Sequence, residues 1–330
     1  MKIEKRIEAL AALGKALHHV KDEELDMLCS QIKNGNAWFQ KEDSLRALKG
    51  IIAMLDQQTL WDWVSKYKRA TESTPKTVGL IMAGNIPAVG FHDYLAVLLC
   101  GHRAQIKLSN QDQVLLPFIQ SVLKDIAPLL AEKASFVDKI SLDMLDTIIA
   151  TGSDNSARYF ESYFQKIPHL IRKNRSSIAI LTGKETKNEL TLLAKDVLWY
   201  YGLGCRNVSK LFVPKDYDLT VLLDAFEEMK GYIIYQNKYI NNYDYNKSIY
   251  LVNGVEHLDN GFLLLKESSE LISPISVLHY ERYDDEKQIS WDTEKVQCVV
   301  GKEHIPFGQA QSPKPWDYAD DVDTIEFLMK

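Results

Sequence analysis

The sequence predicts an α/β protein built on parallel sheets and preceded by a helical N-terminus. Three observations predict it. Residues 3–70 carry apolar side chains at helical spacing. From Val78 onward, short apolar runs that read as strands alternate with helical segments, the pattern of a parallel sheet covered on both faces. Several runs end in turns rich in glycine or polar residues, and in such sheets ligands bind beyond the carboxyl ends of the strands.

Taken in order, Ile3, Ile7, Leu10, Leu13 and Leu17 mark one helix face, and Leu25, Met27, Leu28 and Ile32 a second. Residues 56–67 add an amphipathic turn or two whose aromatic residues read as core. A polar linker follows, Thr71-Glu72-Ser73-Thr74-Pro75. Val78 to Asn85 then reads as a buried strand ending in a turn, with a helix from about Gly90 to Cys100. Arg103 to Leu108 reads as a second strand and Leu115 to Leu130 as a helix. Thr147 to Ser153 is a strand running into a glycine turn, with a helix from about Asn155, and Ser177 to Leu181 is another strand. Asn85, Lys107 and Gly152-Ser153 thus fall at predicted strand ends.

Beyond Glu185, Leu190 to Trp199 is helical, Ser209 to Val213 a strand and Val221 to Met229 a helix. Residues 232–250 are rich in Tyr and Asn without clean periodicity. They read as a loop-bearing insert, a substrate-facing surface or an exposed connector. Ile275 to His279 and Val296 to Val300 read as strands, and Thr324 to Met329 as a short terminal helix.

At 330 residues, with 46% hydrophobic and 25% charged content, the chain is long enough for two domains with sizeable cores. A net charge of −6 and a pI near 5.8 argue against a general nucleic-acid binder. Four cysteines without paired spacing give neither a disulfide framework nor a zinc signature, so no metal is expected and a reducing, cytoplasmic setting is. No apolar run approaches the length needed to span a bilayer.

Cys205 stands apart from the other thiols. It lies in Tyr200-Tyr201-Gly202-Leu203-Gly204-Cys205, behind glycines that let a ligand approach the backbone closely. A thiolate there is a nucleophile toward carbonyl carbon, although a small packing residue is the alternative. Cys29, Cys100 and Cys298 lie in apolar or helical patterns and read as buried packing thiols.

Five short pieces occur in a telling order: Gly84-Asn85-Ile86-Pro87, Lys107-Leu108-Ser109, Thr151-Gly152-Ser153, Gly202-Leu203-Gly204-Cys205 and Glu270-Leu271-Ile272-Ser273-Pro274. Together they resemble the aldehyde dehydrogenase superfamily. Within it, Ala83 to Pro87, Gly204 to Leu211, Pro306 to Gln311 and Asp317 to Asp320 are most similar to the LuxC-like acyl-CoA reductases, over roughly residues 75–330. The resemblance implies an aldehyde-dehydrogenase-like fold. It has a helical segment over 1–74, a Rossmann-type dinucleotide-binding domain over 75–184 and an α/β thiol domain over 185–304. A tail over 305–330 returns to the cofactor domain or makes an oligomer contact.

The implied reaction is reduction of a long-chain acyl-CoA to a fatty aldehyde with NAD(P)H, through a thioester on Cys205. The Asn85 amide and the Cys205 backbone N–H would stabilise the oxyanion. Lys107 would bind the adenosine ribose or a 2′-phosphate, with Ser109 beside it; a solvated strand-end lysine is the alternative. Gly152 and Ser153 would hold the pyrophosphate at a helix N-terminus, or form an ordinary turn. Glu270 would bind the nicotinamide ribose, or be a surface charge. Asn110 stands where many NAD-using relatives place a Glu, so NADPH is favoured over NAD. His92 and Asp93 read as cofactor contacts or as packing. Arg206 reads as a thiol activator, a CoA-phosphate ligand or a surface arginine, and His279 and His304 as structural.

One departure bears on the reaction. Oxidising members carry a water-activating Glu in a Glu-Leu-Gly-Gly pattern, whereas the matching stretch here is Arg172-Lys173-Asn174-Arg175-Ser176-Ser177. An enzyme that keeps its acyl-thioester for reduction needs no such base; simple divergence is the other explanation. Competing readings are an acyl-phosphate or semialdehyde reductase of the same superfamily and a cofactor-binding module without catalysis. A homo-oligomer is expected.

Overall fold

The computed structural model of the chain describes residues 1–67 and 74–330; Thr71 to Ser73 of the polar linker lie outside the described residues. The chain forms two compact units, Met1–Asn174 with Lys314–Lys330, and Arg175–Pro313.

The first unit opens with four helices, α1 (Ile3–His18), α2 (Asp22–Gly35), α3 (Lys41–Met54) and α4 (Gln57–Val64). The α1 stripe Ile3, Ile7, Leu10, Leu13 and Leu17 is buried, as its spacing predicts. Gly14 lets α1 approach Leu55 closely, since a Cβ there would stand 2.8 Å from that of Leu55. An Asp56 N-cap accepts from Thr59 N and starts α4.

Next come β1 (Thr77–Ile81), α5 (Phe91–Cys100), β2 (Arg103–Lys107), α6 (Leu115–Ile126), α7 (Pro128–Ala131), β3 (Ala134–Phe136), β4 (Thr147–Thr151), α8 (Asp154–Tyr163) and β5 (His169–Arg172). The helix predicted over Leu115 to Leu130 is broken because Pro128 cannot continue it and instead opens α7. The sheet runs β3-β2-β1-β4-β5 with every pairing parallel. That is the order of a doubly wound dinucleotide fold, with its switch point between β1 and β4. β3 and β5 escape sequence reading because they are short edge strands without a sustained apolar run.

Helices α1 to α4 share one hydrophobic core with β1, β2, α5 and α6, from Ile7 and Trp63 through Leu80 and Leu98. Helices α1 to α4 are therefore part of the sheet-bearing unit, not a separate one.

The second unit contains β6 (Ser176–Ile180), α9 (Lys187–Leu198), β7 (Val208–Pro214), α10 (Leu219–Phe226), α11 (Lys230–Ile233), α12 (Asn237–Val252), β8 (Leu258–Asp259), β9 (Leu264–Glu267), β10 (Val277–Tyr283) and β11 (Val296–Val300). Its sheet runs β11-β6-β7-β10-β9-β8, parallel except for the β8–β9 pair. A capping box between Thr186 and Glu189 starts α9.

Two boundaries differ from expectation. The strand read as the last of the 75–184 domain, β6, pairs with β7 and β11, so the second unit begins at Arg175 and not at Glu185. The tail over 305–330 divides, and Lys314–Lys330 returns to the first unit. There α13 (Thr324–Met329) buries Ile325 and Leu328.

The Tyr- and Asn-rich stretch is neither loop nor connector but the 16-residue helix α12. Its buried residues are Tyr239, Tyr243, Asn246 and Tyr250, one helical stripe written in tyrosine and asparagine. A hydropathy pattern misses that stripe because tyrosine is only weakly apolar. No helix among the described residues is long and apolar enough to cross a membrane.

Candidate active site

Cys205 is half-exposed, whereas Cys29, Cys100 and Cys298 are buried. Burial pushes the Cys100 thiol up to about 12 and raises Cys29 and Cys298 as well. A thiol so raised is a poor thiolate donor.

The loop that carries Cys205 is locked by one side chain. Asn207, 2% exposed, donates through Nδ2 to the carbonyls of Asp196 (3.1 Å), Val197 (3.1 Å) and Trp199 (2.7 Å). Its Oδ1 accepts from Gly204 N at 2.8 Å. It thereby satisfies the orphan carbonyls at the C-terminal end of α9 and pins the residue before the thiol. From β6, Ser177 Oγ donates to the Cys205 carbonyl at 3.0 Å.

The approach to the loop is strained. Tyr200, Tyr201 and Gly202 are all left-handed, with φ of 53°, 58° and 78°. For two tyrosines this costs roughly 1–2 kcal/mol each. The conformation is held from α11, where Tyr232 Oη accepts from Tyr200 N at 3.0 Å. The Tyr232 ring also stacks on Tyr201, 4.9 Å between centroids and 4° from parallel.

Glu270 lies exposed in the loop between β9 and β10. That loop folds back to β7, where Ser209 Oγ donates to the Leu271 carbonyl at 2.7 Å. Ser209 also accepts from Ser176 Oγ of β6 at 2.6 Å. The structure therefore brings the Cys205 and Glu270 segments to the same strand, beyond what their sequence separation suggested. The Arg206 charge opposes the rise of the Cys298 thiol, an interaction sequence reading did not anticipate.

In the first unit, Asn85, Lys107, Ser109, Gly152 and Ser153 all lie at or just past the carboxyl ends of β1, β2 and β4. The Asn85 turn packs on the Ser109 turn so tightly that a Cβ at Gly84 would stand 2.7 Å from Ser109 Oγ. Ser109 Oγ accepts from Gln111 N at 3.2 Å. A Cβ at Gly152 would meet Ser156 Cβ at 2.7 Å and Phe160 at 3.1 Å. Ser153 caps α8, its hydroxyl accepting from Ser156 N at 3.4 Å. Both residues thus have a local structural reason to be there.

Asp112 is a residue the sequence did not point to. Its Oδ2 accepts from the N–H of Ala88, itself left-handed at φ 51°, at 2.6 Å. It therefore fixes the turn that carries Asn85. Burial pushes its carboxyl up to about 6, although the Ala88 N–H opposes the rise. A raised folded-state value means that ionisation opposes folding. The favourable contribution is full below about 4 and is lost as pH rises through about 6. Asp112→Asn keeps an acceptor for Ala88 and carries no charge. Its stability relative to wild type should rise by up to roughly 3 kcal/mol between pH 4 and pH 7.5. Urea titrations at the two pH values check this, and parallel pH dependences in the two proteins would refute it.

His92 and Asp93 belong to packing. His92 Nε2 lies 2.8 Å from the Pro315 carbonyl, and Asp93 pairs with the buried Arg172 at 2.8 Å. Burial alone would raise the Asp93 carboxyl. The Arg172 charge and the His92 bond outweigh it and hold the group well below the usual carboxylate range. Arg172 also donates to the Ala319 carbonyl (2.8 Å) and to Thr324 Oγ1 (2.9 Å), tying the tail to the first unit. Among the described residues, no group of three or more His, Cys, Asp or Glu is placed to hold a metal ion.

A doubly wound five-stranded unit followed by a second, largely parallel sheet that carries a loop-held cysteine defines an aldehyde-dehydrogenase-like protein. Solved structures agree. The chain is similar to a mutant of aldehyde dehydrogenase C from Pseudomonas syringae complexed with NAD+ and octanal, at TM-score 0.64 and 13% identity over 86% of this chain and 68% of that one. It is similar to aldehyde dehydrogenase 21 of Physcomitrella patens in complex with succinate, at TM-score 0.65 and 11% identity over 92% and 74%. It is also similar to a Mycobacterium tuberculosis aldehyde dehydrogenase complexed with NAD+, at TM-score 0.59 and 15% identity over 87% and 70%. At these identities the likeness concerns the fold. A protein-family model described as acyl-CoA reductase (LuxC) matches residues 10–231, and the chain belongs to that family. Membership makes it an oxidoreductase of the acyl-CoA reductase type. No curated protein matches the sequence.

Proposed function

We propose that this protein reduces a long-chain acyl-CoA to the aldehyde with NADPH, through an acyl-thioester on Cys205. The observation that carries the reading is the thiol itself: the single unburied cysteine of four, on a loop that Asn207 holds rigid.

Cys205 Sγ attacks the thioester carbonyl carbon, a C–S bond forms to the enzyme, and the bond to CoA breaks as CoA leaves as its thiolate. The Asn85 amide and the Cys205 N–H donate to the oxyanion. The stretch matching the superfamily's water-activating Glu supplies Ser176 and Ser177. Ser176 Oγ donates to Ser209 Oγ at 2.6 Å, and Ser177 Oγ donates to the Cys205 carbonyl at 3.0 Å. Hydroxyls so engaged offer no carboxylate base, which favours an acyl-enzyme kept for reduction.

The first unit's residues fit a dinucleotide. Gly152 leaves no room for a side chain under α8, and the ends of β1, β2 and β4 meet at the switch point where such cofactors bind. Lys107 and Ser109 would hold the adenosine end, Gly152 and Ser153 the pyrophosphate, and Glu270 the nicotinamide ribose. Asn110, with no charge to repel a 2′-phosphate, favours NADPH. When bound, the cofactor supplies the two-electron reduction of the acyl group.

The test is intact mass after incubation with palmitoyl-CoA, followed by NADPH. One acyl adduct, discharged as aldehyde, supports the reading. An adduct with acyl phosphate but not with any acyl-CoA would replace it with an acyl-phosphate reductase. NADPH binding with no adduct would leave a cofactor-binding module. Asn85→Ala should lower kcat about 10²–10³-fold with NADPH affinity unchanged. Equal losses in both would show that Asn85 serves the cofactor instead of the oxyanion.

A further inference from the structure

Three consecutive carbonyls in the Glu270 segment each accept from a different side chain, two of them buried and the third, Ser209, half-buried. Ser269 O accepts from Lys210 Nζ at 2.8 Å, Glu270 O from His279 Nδ1 at 3.0 Å and Leu271 O from Ser209 Oγ at 2.7 Å. Glu270 N donates to Ser268 Oγ at 3.2 Å and closes the turn. Ser269 and Glu270 are exposed and Leu271 is half-buried, yet the carbonyl of each is held by a side chain.

Lys210 is the costly member. It is 3% exposed, ion-paired with Glu281, and its ammonium lies 5.0 Å from the Phe212 ring centroid. Lysine is almost never buried so fully, and an apolar side chain of similar volume would avoid the desolvation. His279 is 4% exposed, and burial lowers its tendency to protonate. A carbonyl can only accept, so the Nδ1 proton is the one this ring keeps. Ser209 and Lys210 both stand on β7, which begins just after the Cys205 loop.

We infer that Lys210, with His279 and Ser209, is a positioning residue that fixes Glu270 for cofactor binding and leaves the reactivity of Cys205 alone. The inference rests on the role assigned to Glu270 above. One strand then fixes two reacting parts, the thiol loop at its start and the ribose-binding carboxylate through its side chains.

The experiment compares full-length Lys210→Met and Ser209→Ala with wild type by three readouts. These are hydrogen exchange over residues 268–272, NADPH affinity by fluorescence titration, and the rate of Cys205 acylation by palmitoyl-CoA without cofactor. Expected are faster exchange in that segment, NADPH Kd raised roughly tenfold or more in Lys210→Met, and acylation within about twofold of wild type. Ser209→Ala, which removes a smaller group, should show the same pattern weakly and keeps the test open if Lys210→Met does not fold. Acylation slowed as much as NADPH binding is weakened would overturn the inference, because Lys210 would then act on the thiol. Unchanged exchange and Kd would overturn it too. A wild-type protein that binds NADPH but takes no acyl group would sink the acyl-CoA reading alone.

Discussion

Cys205→Ala should abolish the acyl adduct and lower aldehyde formation by about 10⁴-fold or more. The other three thiols are buried, so none is placed to substitute. Without the nucleophile the reaction loses its covalent route altogether, and residual binding cannot replace it. Cys205→Ser separates size from nucleophilicity. It should fold and bind NADPH as wild type does while acylating far more slowly, since an unactivated hydroxyl is a much weaker nucleophile than a thiolate. Intact mass and a coupled aldehyde assay check both variants. An undiminished adduct in Cys205→Ala would move the nucleophile elsewhere.

Asn207→Asp should be the most damaging substitution outside the thiol, costing roughly 3–5 kcal/mol of stability. A carboxylate cannot donate to the Asp196, Val197 and Trp199 carbonyls, and it places an unpaired charge in a site only 2% exposed. The Gly204 N–H keeps its acceptor, so the loss falls on the α9 end of the loop. The left-handed Tyr200 and Tyr201 should then relax, because their strain is sustained by what surrounds them. Urea unfolding measures the stability, and the rate of Cys205 alkylation by iodoacetamide reports the loop. A variant with wild-type stability and wild-type alkylation would show that the Tyr232 contacts suffice.

Much of the architecture was legible. The stripe Ile3 to Leu17, the strands around Leu80, Ile106 and Ile149, and the terminal helix at Thr324 emerged where periodicity placed them. So did the singular exposure of Cys205, because glycines mark a loop and apolar neighbours mark the buried thiols. What failed did so for physical reasons. The edge strands β3 and β5 lack a strong apolar run, and α12 hides its stripe in Tyr239, Tyr243, Asn246 and Tyr250. The strand Ser176–Ile180 was readable as a strand but not assignable to a sheet, since burial on both faces looks alike in either one.

The sequence by itself determined most element types and the family resemblance, and it singled out Cys205 as the candidate nucleophile, because these depend on local pattern and on residue chemistry. Only the tertiary structure decided which side chains hold the candidate site's loops and turns in place. Asn207 reaches back to α9, Asp112 holds the Ala88 turn, and Lys210, Ser209 and His279 grip three successive carbonyls around Glu270. Each is a polar side chain satisfying backbone groups distant in sequence or hidden in a turn. Which carbonyl or N–H lies within three ångströms of a side chain is set by chain packing, and no spacing along the sequence encodes it.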